Sequence, residues 1–194
     1  MQLYLVQHGA AKSEAEDPQR GLTEEGLRTV EQLADFLTPL QLSIDRIEHS
    51  GKLRASQTAE ILAGRLRPRE GAKEIMGIGP KDNVEAMCSR LQTESKDLML
   101  VGHLPDLGRL VARLLGLKGD RDAVLFQMGG LVRLDRRETG DWVVRWMIVP
   151  DLLTQRRRSP VRRNWTPRAS FTTSRTIRAS GRTSMPRTRK SCSD

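Results

Sequence analysis

The chain has 194 residues, of which 37% are hydrophobic and 29% charged, and this composition excludes a collagen, a coiled coil or a disulfide scaffold. No run reaches the roughly eighteen apolar residues of a membrane span, and the 2 cysteines, Cys88 and Cys192, are too far apart in the sequence to indicate a disulfide framework or a zinc site. The net charge of +9 would suggest nucleic acid or another anionic partner if the charges were spread evenly, but they are not.

Strand and helix patterns alternate along the first 154 residues. An apolar strand is predicted at 3–6 and breaks at Gln7-His8-Gly9. No basic segment precedes this short apolar run, so it does not have the pattern of a signal peptide, and a cytoplasmic protein is expected. Further strands are predicted at 44–49, 73–78, 98–101, 124–126, 130–134 and 142–149, the last two as a hairpin. Helices are predicted from a Thr23 N-cap to Pro39, over 53–66, from an Asp82 cap to about Thr93, and over 107–115. This alternation predicts an α/β domain with a mostly parallel sheet covered on both faces.

Two tryptophans lie in the last predicted strand. Trp142 and Trp146 are separated by an even number of residues, so an unbroken strand would place both on one face, as packing residues.

The last 40 residues differ from the rest in composition. Residues 155–194 carry 12 basic groups and 1 acidic group, whereas residues 1–154 carry 21 and 23. The segment is rich in Ser, Thr and Pro and has too few large apolar residues to offset the entropy of ordering it. We therefore predict a globular domain over 1–154 and a disordered basic tail over 155–194. The tail either contacts nucleic-acid phosphates nonspecifically, has no role, or reflects an aberrant reading frame.

Two of the three histidines occupy matching positions. His8 and His103 each follow an apolar strand directly, and each stands beside a glycine, Gly9 or Gly102. In a parallel sheet the carboxyl ends of the strands share one edge, which predicts that the two rings converge there. A glycine lets the backbone approach an anion closely, and Arg54 near a helix N-terminus offers a guanidinium that matches phosphate oxygens. A phosphate site is therefore predicted at this edge.

Four segments in this order resemble the histidine phosphatase superfamily, and the short chain with its Gly-His-Leu-Pro element is most similar to SixA-type phosphohistidine phosphatases. The segments are LVQHG at 5–9, LTEEG at 22–26, SGKLRASQTA at 50–59 and VGHLP at 101–105. The resemblance covers about residues 1–150 and leaves the tail outside it.

The resemblance implies a fold and a set of roles. It implies a three-layer α/β/α fold like that of phosphoglycerate mutase, and a histidine that is phosphorylated and then hydrolysed without a metal or other cofactor. His8 matches that nucleophile, and Arg54 and His103 match the pair that holds the phosphoryl group. Arg20 is a further candidate for a phosphate contact.

The chain departs from the family pattern in two places. Gln7 stands where family members usually have arginine, and a neutral amide stabilises an oxyanion about half as well as a charged donor, so weaker binding or slower turnover is expected. The only candidate proton donors for a leaving group are Glu74 and Asp82. A phosphohistidine substrate tolerates this lack, because a departing imidazole needs less help from an acid than an alkoxide does.

The function expected from the sequence is that of a phosphatase acting on a phosphohistidine-bearing protein through His8. One alternative is a phosphatase of a small phosphorylated metabolite. Another is a phosphate-binding regulatory module that has lost catalytic activity because Gln7 replaces the arginine. No membrane partner is expected, and nucleic acid enters only through the basic tail.

Overall fold

The computed structural model describes residues 1–79, 82–118 and 122–154. The predicted domain boundary at 154 and the predicted disorder of the tail therefore concern residues outside the described part of the chain. Within that part, no helix has the length and apolar character needed to cross a membrane.

The described residues contain six strands, five α-helices and one short 3-10 helix. The strands are β1 (Gln2–Gln7), β2 (Arg46–His49), β3 (Ala72–Glu74), β4 (Leu98–Gly102), β5 (Leu131–Arg136) and β6 (Trp142–Ile148). The α-helices are α1 (Glu24–Leu37), α2 (Leu53–Leu66), α3 (Val84–Thr93), α4 (Asp106–Leu114) and α5 (Pro150–Thr154), and the 3-10 helix Thr38–Leu40 follows α1. The bounds of α2 are those predicted, whereas α1 begins after the predicted Thr23 cap and ends at Leu37, with Pro39 inside the 3-10 helix that follows.

The strands form one mixed sheet in the order β3-β2-β4-β1-β5-β6. The pairs β1–β4, β4–β2 and β2–β3 are parallel, whereas β5 runs antiparallel to both β1 and β6. Five of the six strands therefore point in the same direction, which confirms the mostly parallel sheet. The carboxyl ends of β1, β4 and β2 lie side by side, with Gln7 opposite Gly102 and His49 opposite Val101.

A hydrophobic core lies on each face of the sheet, because side chains of a strand alternate between the faces. Tyr4 and Val6 of β1 pack with buried residues of α1, α2 and α5. Leu3 and Leu5 pack on the opposite face with buried residues of α3 and α4. The domain thus has the expected three layers, helices on both sides of a central sheet.

The loop that follows β1 lies directly on the first turn of α1. Thr23 caps this helix, as predicted, by accepting a hydrogen bond from the backbone N–H of Gly26 at 3.0 Å. A Cβ on Gly26 would lie 2.1 Å from the carbonyl oxygen of Ala10, and one on Gly9 would lie 2.9 Å from the carbonyl oxygen of Gly26. Backbone therefore packs against backbone at this point, and neither glycine has room for a side chain.

The cap of α3 differs from the prediction by one residue. Asn83, and not Asp82, accepts the backbone N–H of Glu85 at 2.9 Å. The Asp82 carboxylate instead accepts the backbone N–H groups of Gly77 at 3.0 Å and Gly79 at 2.7 Å. Asp and Asn are both good caps, so the sequence does not distinguish the residue that starts the helix from the one that closes the preceding turn.

The strand predicted at 124–126 is absent, and Leu125 is 79% exposed. The edge of β1 on this side of the sheet is already paired with β5. The segment instead reaches the end of β1 through Gly129, whose N–H lies 3.0 Å from the carbonyl oxygen of Gln7 and 3.1 Å from that of His8. A short apolar run without an open strand edge beside it stays a loop.

The two tryptophans of β6 lie on opposite faces, contrary to the prediction. Arg133 pairs with Trp146 but Leu134 pairs with Val144, so β6 holds one extra residue, a β-bulge, between them. The bulge shifts the alternation, so Trp142 packs in the core beneath α3 and α4. Trp146 lies on the other face, with its ring centroid 6.2 Å from that of Tyr4.

The close packing of the β1 loop on α1 yields a stability prediction. We expect Gly26→Ala to lower the free energy of unfolding by about 1–3 kcal/mol, because the new methyl group would overlap the backbone of Ala10. The matched control is Gly64→Ala in α2, where nothing lies within 4 Å of a new Cβ and a gain of about 0.5–1 kcal/mol is expected. Urea unfolding of both variants measures the difference, and an unchanged Gly26→Ala protein would contradict the packing described.

Candidate active site

The structure brings His8 and His103 together at the carboxyl edge of the sheet. The backbone N–H of His8 donates to the carbonyl oxygen of Gly102 at 3.2 Å, which continues the pairing of β1 with β4. The two imidazole rings have centroids 4.8 Å apart and planes inclined by 56°. Two histidines that are far apart in the sequence therefore face one another because their strands are neighbours in the sheet.

Gly9 and Arg54 set the hydrogen bonds of the His8 ring. Nδ1 of His8 lies 2.7 Å from the carbonyl oxygen of Gly9, a partner that can only accept and so holds a proton on Nδ1. Nε2 then carries the lone pair, and it accepts a hydrogen bond from Nε of Arg54 at 3.2 Å. Burial lowers the pKa of His8 below its ordinary value of 6.5, and the charges of Arg54 and Arg20 lower it further. At neutral pH the ring is therefore uncharged, with Nε2 as its nucleophilic atom.

His103 is buried and uncharged. Its Nε2 lies 2.5 Å from Oγ of Ser50, the residue that follows β2, and its Nδ1 has no hydrogen-bond partner among the described residues. Burial lowers the pKa of His103 to about 3, and the neighbouring His8 and Arg54 lower it in the same direction. When Nε2 accepts the Ser50 hydroxyl hydrogen, the ring proton lies on Nδ1, which then offers a free donor to an anion.

Arg54 is held in the first turn of α2 by a threonine. The hydroxyl of the buried Thr58 donates to the carbonyl oxygen of Arg54 at 2.7 Å and accepts from the backbone N–H of Gly9 at 3.2 Å. One side chain thus ties the helix that carries the guanidinium to the loop that carries His8. Sequence reasoning singled out neither Thr58 nor Ser50, although both lie in the 50–59 segment and Thr58 interrupts an otherwise apolar helix face.

A cleft of about 590 Å³ lies in front of Arg54. Its lining includes Arg20, which was predicted to contact phosphate, together with Lys52 and Glu14. The backbone of Arg20 is left-handed, with φ of 53°, and its Nε lies 3.4 Å from the carbonyl oxygen of Lys12. Three cations and one carboxylate therefore line this opening.

The remaining predicted phosphate contacts are Gln7 and two glycines, Gly9 and Gly102. Gln7 is buried, and its Oε1 has no hydrogen-bond partner among the described residues. A Cβ on Gly102 would lie 3.2 Å from Cδ2 of Leu107, a tight contact with a side chain, whereas one on Gly9 would meet backbone. The role of the two glycines in approaching an anion stays a prediction.

Neither candidate proton donor lies free in the site. The Asp82 carboxylate is used by two backbone N–H groups. The Glu74 carboxylate lies against Gly51, where a Cβ would be 2.2 Å from Oε1. His49, the third histidine, accepts the backbone N–H of Gly51 at 3.2 Å and thus shapes the turn before α2. Among the residues with described positions, no cluster of His, Cys, Asp and Glu is suited to hold a metal ion.

Comparison with known proteins gives consistent matches. Residues 3–76 match the family description "Histidine phosphatase superfamily (branch 1)". An uncharacterized protein from Picosynechococcus sp. strain PCC 7002 is 38% identical over 116 residues, which make up 56% of this chain and 69% of that protein. Phosphohistidine phosphatase SixA from Escherichia coli strain K12 is 28% identical over 155 residues, which make up 77% and 94%. The solved structure of the protein histidine phosphatase SixA complexed with tungstate is 26% identical and has a TM-score of 0.70, covering 79% of this chain and 99% of that one.

The buried, uncharged His103 yields a prediction about pH. An unfolded histidine takes up a proton below about pH 6.5, whereas folded His103 stays neutral until about pH 3, so folding is disfavoured as the pH falls through this window. Between pH 7 and pH 5, proton uptake by unfolded His103 lowers the free energy of unfolding of the wild-type protein by about 2 kcal/mol. We expect His103→Gln to lack this part of the loss. Denaturant unfolding at both pH values measures this, and an equal loss in the two proteins would contradict the buried neutral ring.

Proposed function

Because this chain belongs to the histidine phosphatase superfamily and is SixA-like, we propose that it removes a phosphoryl group from a phosphohistidine-bearing protein through a phosphohistidine formed at His8. The family and the relatives support phosphatase activity of the histidine-phosphatase type. The single observation that carries the mechanism is the uncharged His8 ring, held by Gly9 so that Nε2 faces the guanidinium of Arg54.

In the first step Nε2 of His8 attacks phosphorus. A P–N bond forms to His8 while the bond from phosphorus to the substrate breaks, and the departing imidazole takes its proton from solvent. Arg54 exchanges its hydrogen bond from Nε2 to a phosphoryl oxygen as the substrate arrives, so the guanidinium that first binds the nucleophile then neutralises charge on the phosphoryl group.

In the second step a water molecule attacks the phosphorus of the His8 phosphoramidate. The P–N bond breaks, inorganic phosphate leaves, and Nε2 regains its lone pair. The Nδ1 proton of His103 faces no partner among the described residues and is available to a phosphoryl oxygen. The negative charge of the phosphoryl group raises the pKa of His103, which strengthens this hydrogen bond in the filled site.

Two observations favour a phosphohistidine substrate over a phosphate ester. The Escherichia coli relative is named a phosphohistidine phosphatase, and the solved tungstate complex is of a protein histidine phosphatase. Asp82 is engaged by backbone N–H groups and Glu74 lies against Gly51, so neither of the two candidate acids is free to protonate an alkoxide leaving group. A small phosphorylated metabolite is the second candidate.

The amide at position 7 favours a third candidate, a phosphate-binding module without turnover. Gln7 places a neutral group where the family pattern has a cation, and the difference bears directly on stabilising the transferred phosphoryl group. Nucleic-acid binding through residues 155–194 concerns the part of the chain that the structure does not describe.

The proposed nucleophile is tested with a phosphohistidine-bearing protein and tungstate as a phosphoryl mimic. We expect wild-type protein to hydrolyse the substrate, tungstate to inhibit it, and His8→Ala to lose at least about 1,000-fold in rate, since no other group forms the intermediate. His49→Asn is the matched control, because it changes a buried histidine at the same sheet edge and keeps an acceptor for Gly51. Full activity in His8→Ala would reject the mechanism.

The effect of position 7 is tested by Gln7→Arg. We expect the rate to rise by up to about tenfold, because a charged donor roughly doubles the strength of a hydrogen bond to a phosphoryl oxygen. If wild-type protein is inert and only Gln7→Arg turns over, the binding module is the correct function of the natural chain. A lower rate in a folded Gln7→Arg protein would show that position 7 does not contact the phosphoryl group.

A further inference from the structure

Two arginines bring positive charge to the His8 ring. Arg54 donates a hydrogen bond to the ring, and the charge of Arg20, which lines the cleft, also lowers the pKa of His8. The adjacent Gln7 is neutral, whereas the family pattern has an arginine there. A phosphoryl group carries up to two negative charges, so a further cation at the cleft strengthens its binding while position 7 is neutral.

Lys52 occupies a position from which it can supply that charge. It is the residue immediately before α2, two positions before Arg54, and it lines the same cleft. The N-terminus of α2 attracts anions to this point, because its first backbone N–H groups lack partners within the helix. Positive charge on Lys52 also contributes to lowering the pKa of the buried His103, so its field reaches that ring.

The ammonium group of Lys52 is not committed to another residue. Lys73 and Lys96 both form ion pairs with Glu70, whereas Lys52 is exposed and forms no ion pair with a described residue. The carboxylates nearest the cleft are Glu14, which lines it, and Glu74, which lies against Gly51. Neither forms an ion pair with Lys52, so its charge is available to a ligand.

We propose that Lys52 is a substrate-binding residue that binds the phosphoryl group together with Arg54 and supplies the positive charge that position 7 lacks. The inference rests on the proposed function in taking a phosphoryl group as the ligand. It makes the contributions of positions 7 and 52 interdependent. Lys52 matters most while position 7 is neutral, and it matters less once an arginine stands there.

The experiment is a double-mutant cycle read out by tungstate binding. The dissociation constant of tungstate is measured by calorimetry at low ionic strength for wild-type protein, Lys52→Met, Gln7→Arg and the double variant. We expect Lys52→Met to weaken binding about two- to fivefold in the wild-type background and less than about 1.5-fold in the Gln7→Arg background. The salt dependence of binding should also become shallower in Lys52→Met.

Two further variants distinguish an effect of the Lys52 contact on tungstate binding from an effect of the protein's net charge. Lys118→Met removes the same charge from an exposed lysine beyond the far end of α4, and we expect it to leave tungstate binding unchanged. Lys52→Arg should retain binding close to that of the wild type. If Gln7→Arg does not fold, Gln7→Lys takes its place in the cycle.

Several results would overturn the proposal. These are wild-type affinity in Lys52→Met, an equal loss in Lys118→Met, an equal loss in both position-7 backgrounds, or no tungstate binding by any variant. The outcome is distinguishable from that of the proposed function. A protein that binds tungstate through Lys52 but hydrolyses nothing refutes the catalysis alone, whereas hydrolysis through His8 without any effect of Lys52 refutes this inference alone.

Discussion

The parallel pairing of β1, β4 and β2 is the constraint on which the site depends. Gln7 lies opposite Gly102 and His49 lies opposite Val101, so the three residues that follow these strands emerge together at one edge. They are His8, His103 and Ser50. The backbone N–H of His8 donates to Gly102 of β4, and His103 and Ser50 directly follow β4 and β2, so the sheet itself brings the two imidazole rings together. A shift of one residue in either register would turn one of the rings to the other face of the sheet.

Burial decides the charge state of this site. Desolvation lowers the pKa of both His8 and His103, and the nearby guanidinium of Arg54 acts in the same direction. The site thus combines two neutral rings with the positive charge of Arg54, which a dianionic ligand compensates. The hydrogen bond from Arg54 to Nε2 of His8 has two roles. In the proposed mechanism it restrains His8 before substrate binds, and its donor then becomes available to the phosphoryl oxygens.

The neutral residue at position 7 and the exposed Lys52 both affect how much positive charge the site offers to a ligand. A neutral Gln7 reduces the charge within the site, while Lys52 adds charge at the start of α2, where the cleft opens. Charge held on an exposed, flexible side chain is screened by salt and solvent far more than a buried guanidinium is. A phosphoryl group on the surface of a large substrate suits such an arrangement, because the long lysine side chain adapts to its position.

Local patterns in the sequence were sufficient for some elements. The bounds of α1 and α2 follow from the Thr23 cap, from apolar residues at helical spacing and from the prolines beyond each end, all of which act over a few residues. The convergence of His8 and His103 followed from one topological rule about parallel strands together with the family resemblance. The order of the sheet, with its single antiparallel strand β5, did not follow from these signals.

Amino-acid sequence alone thus determined the fold class, helices α1 to α4 and the residue types at the sheet edge, because caps, spacing and strand ends are local properties. Tertiary structure alone decided the absence of a strand at 124–126, the bulge that sends Trp142 and Trp146 to opposite faces, and the bridge that Thr58 makes between Arg54 and Gly9. It also decided that Lys52 lines the same cleft as Arg20. These features depend on contacts between residues far apart in the chain, and such contacts exist only once the layers have packed.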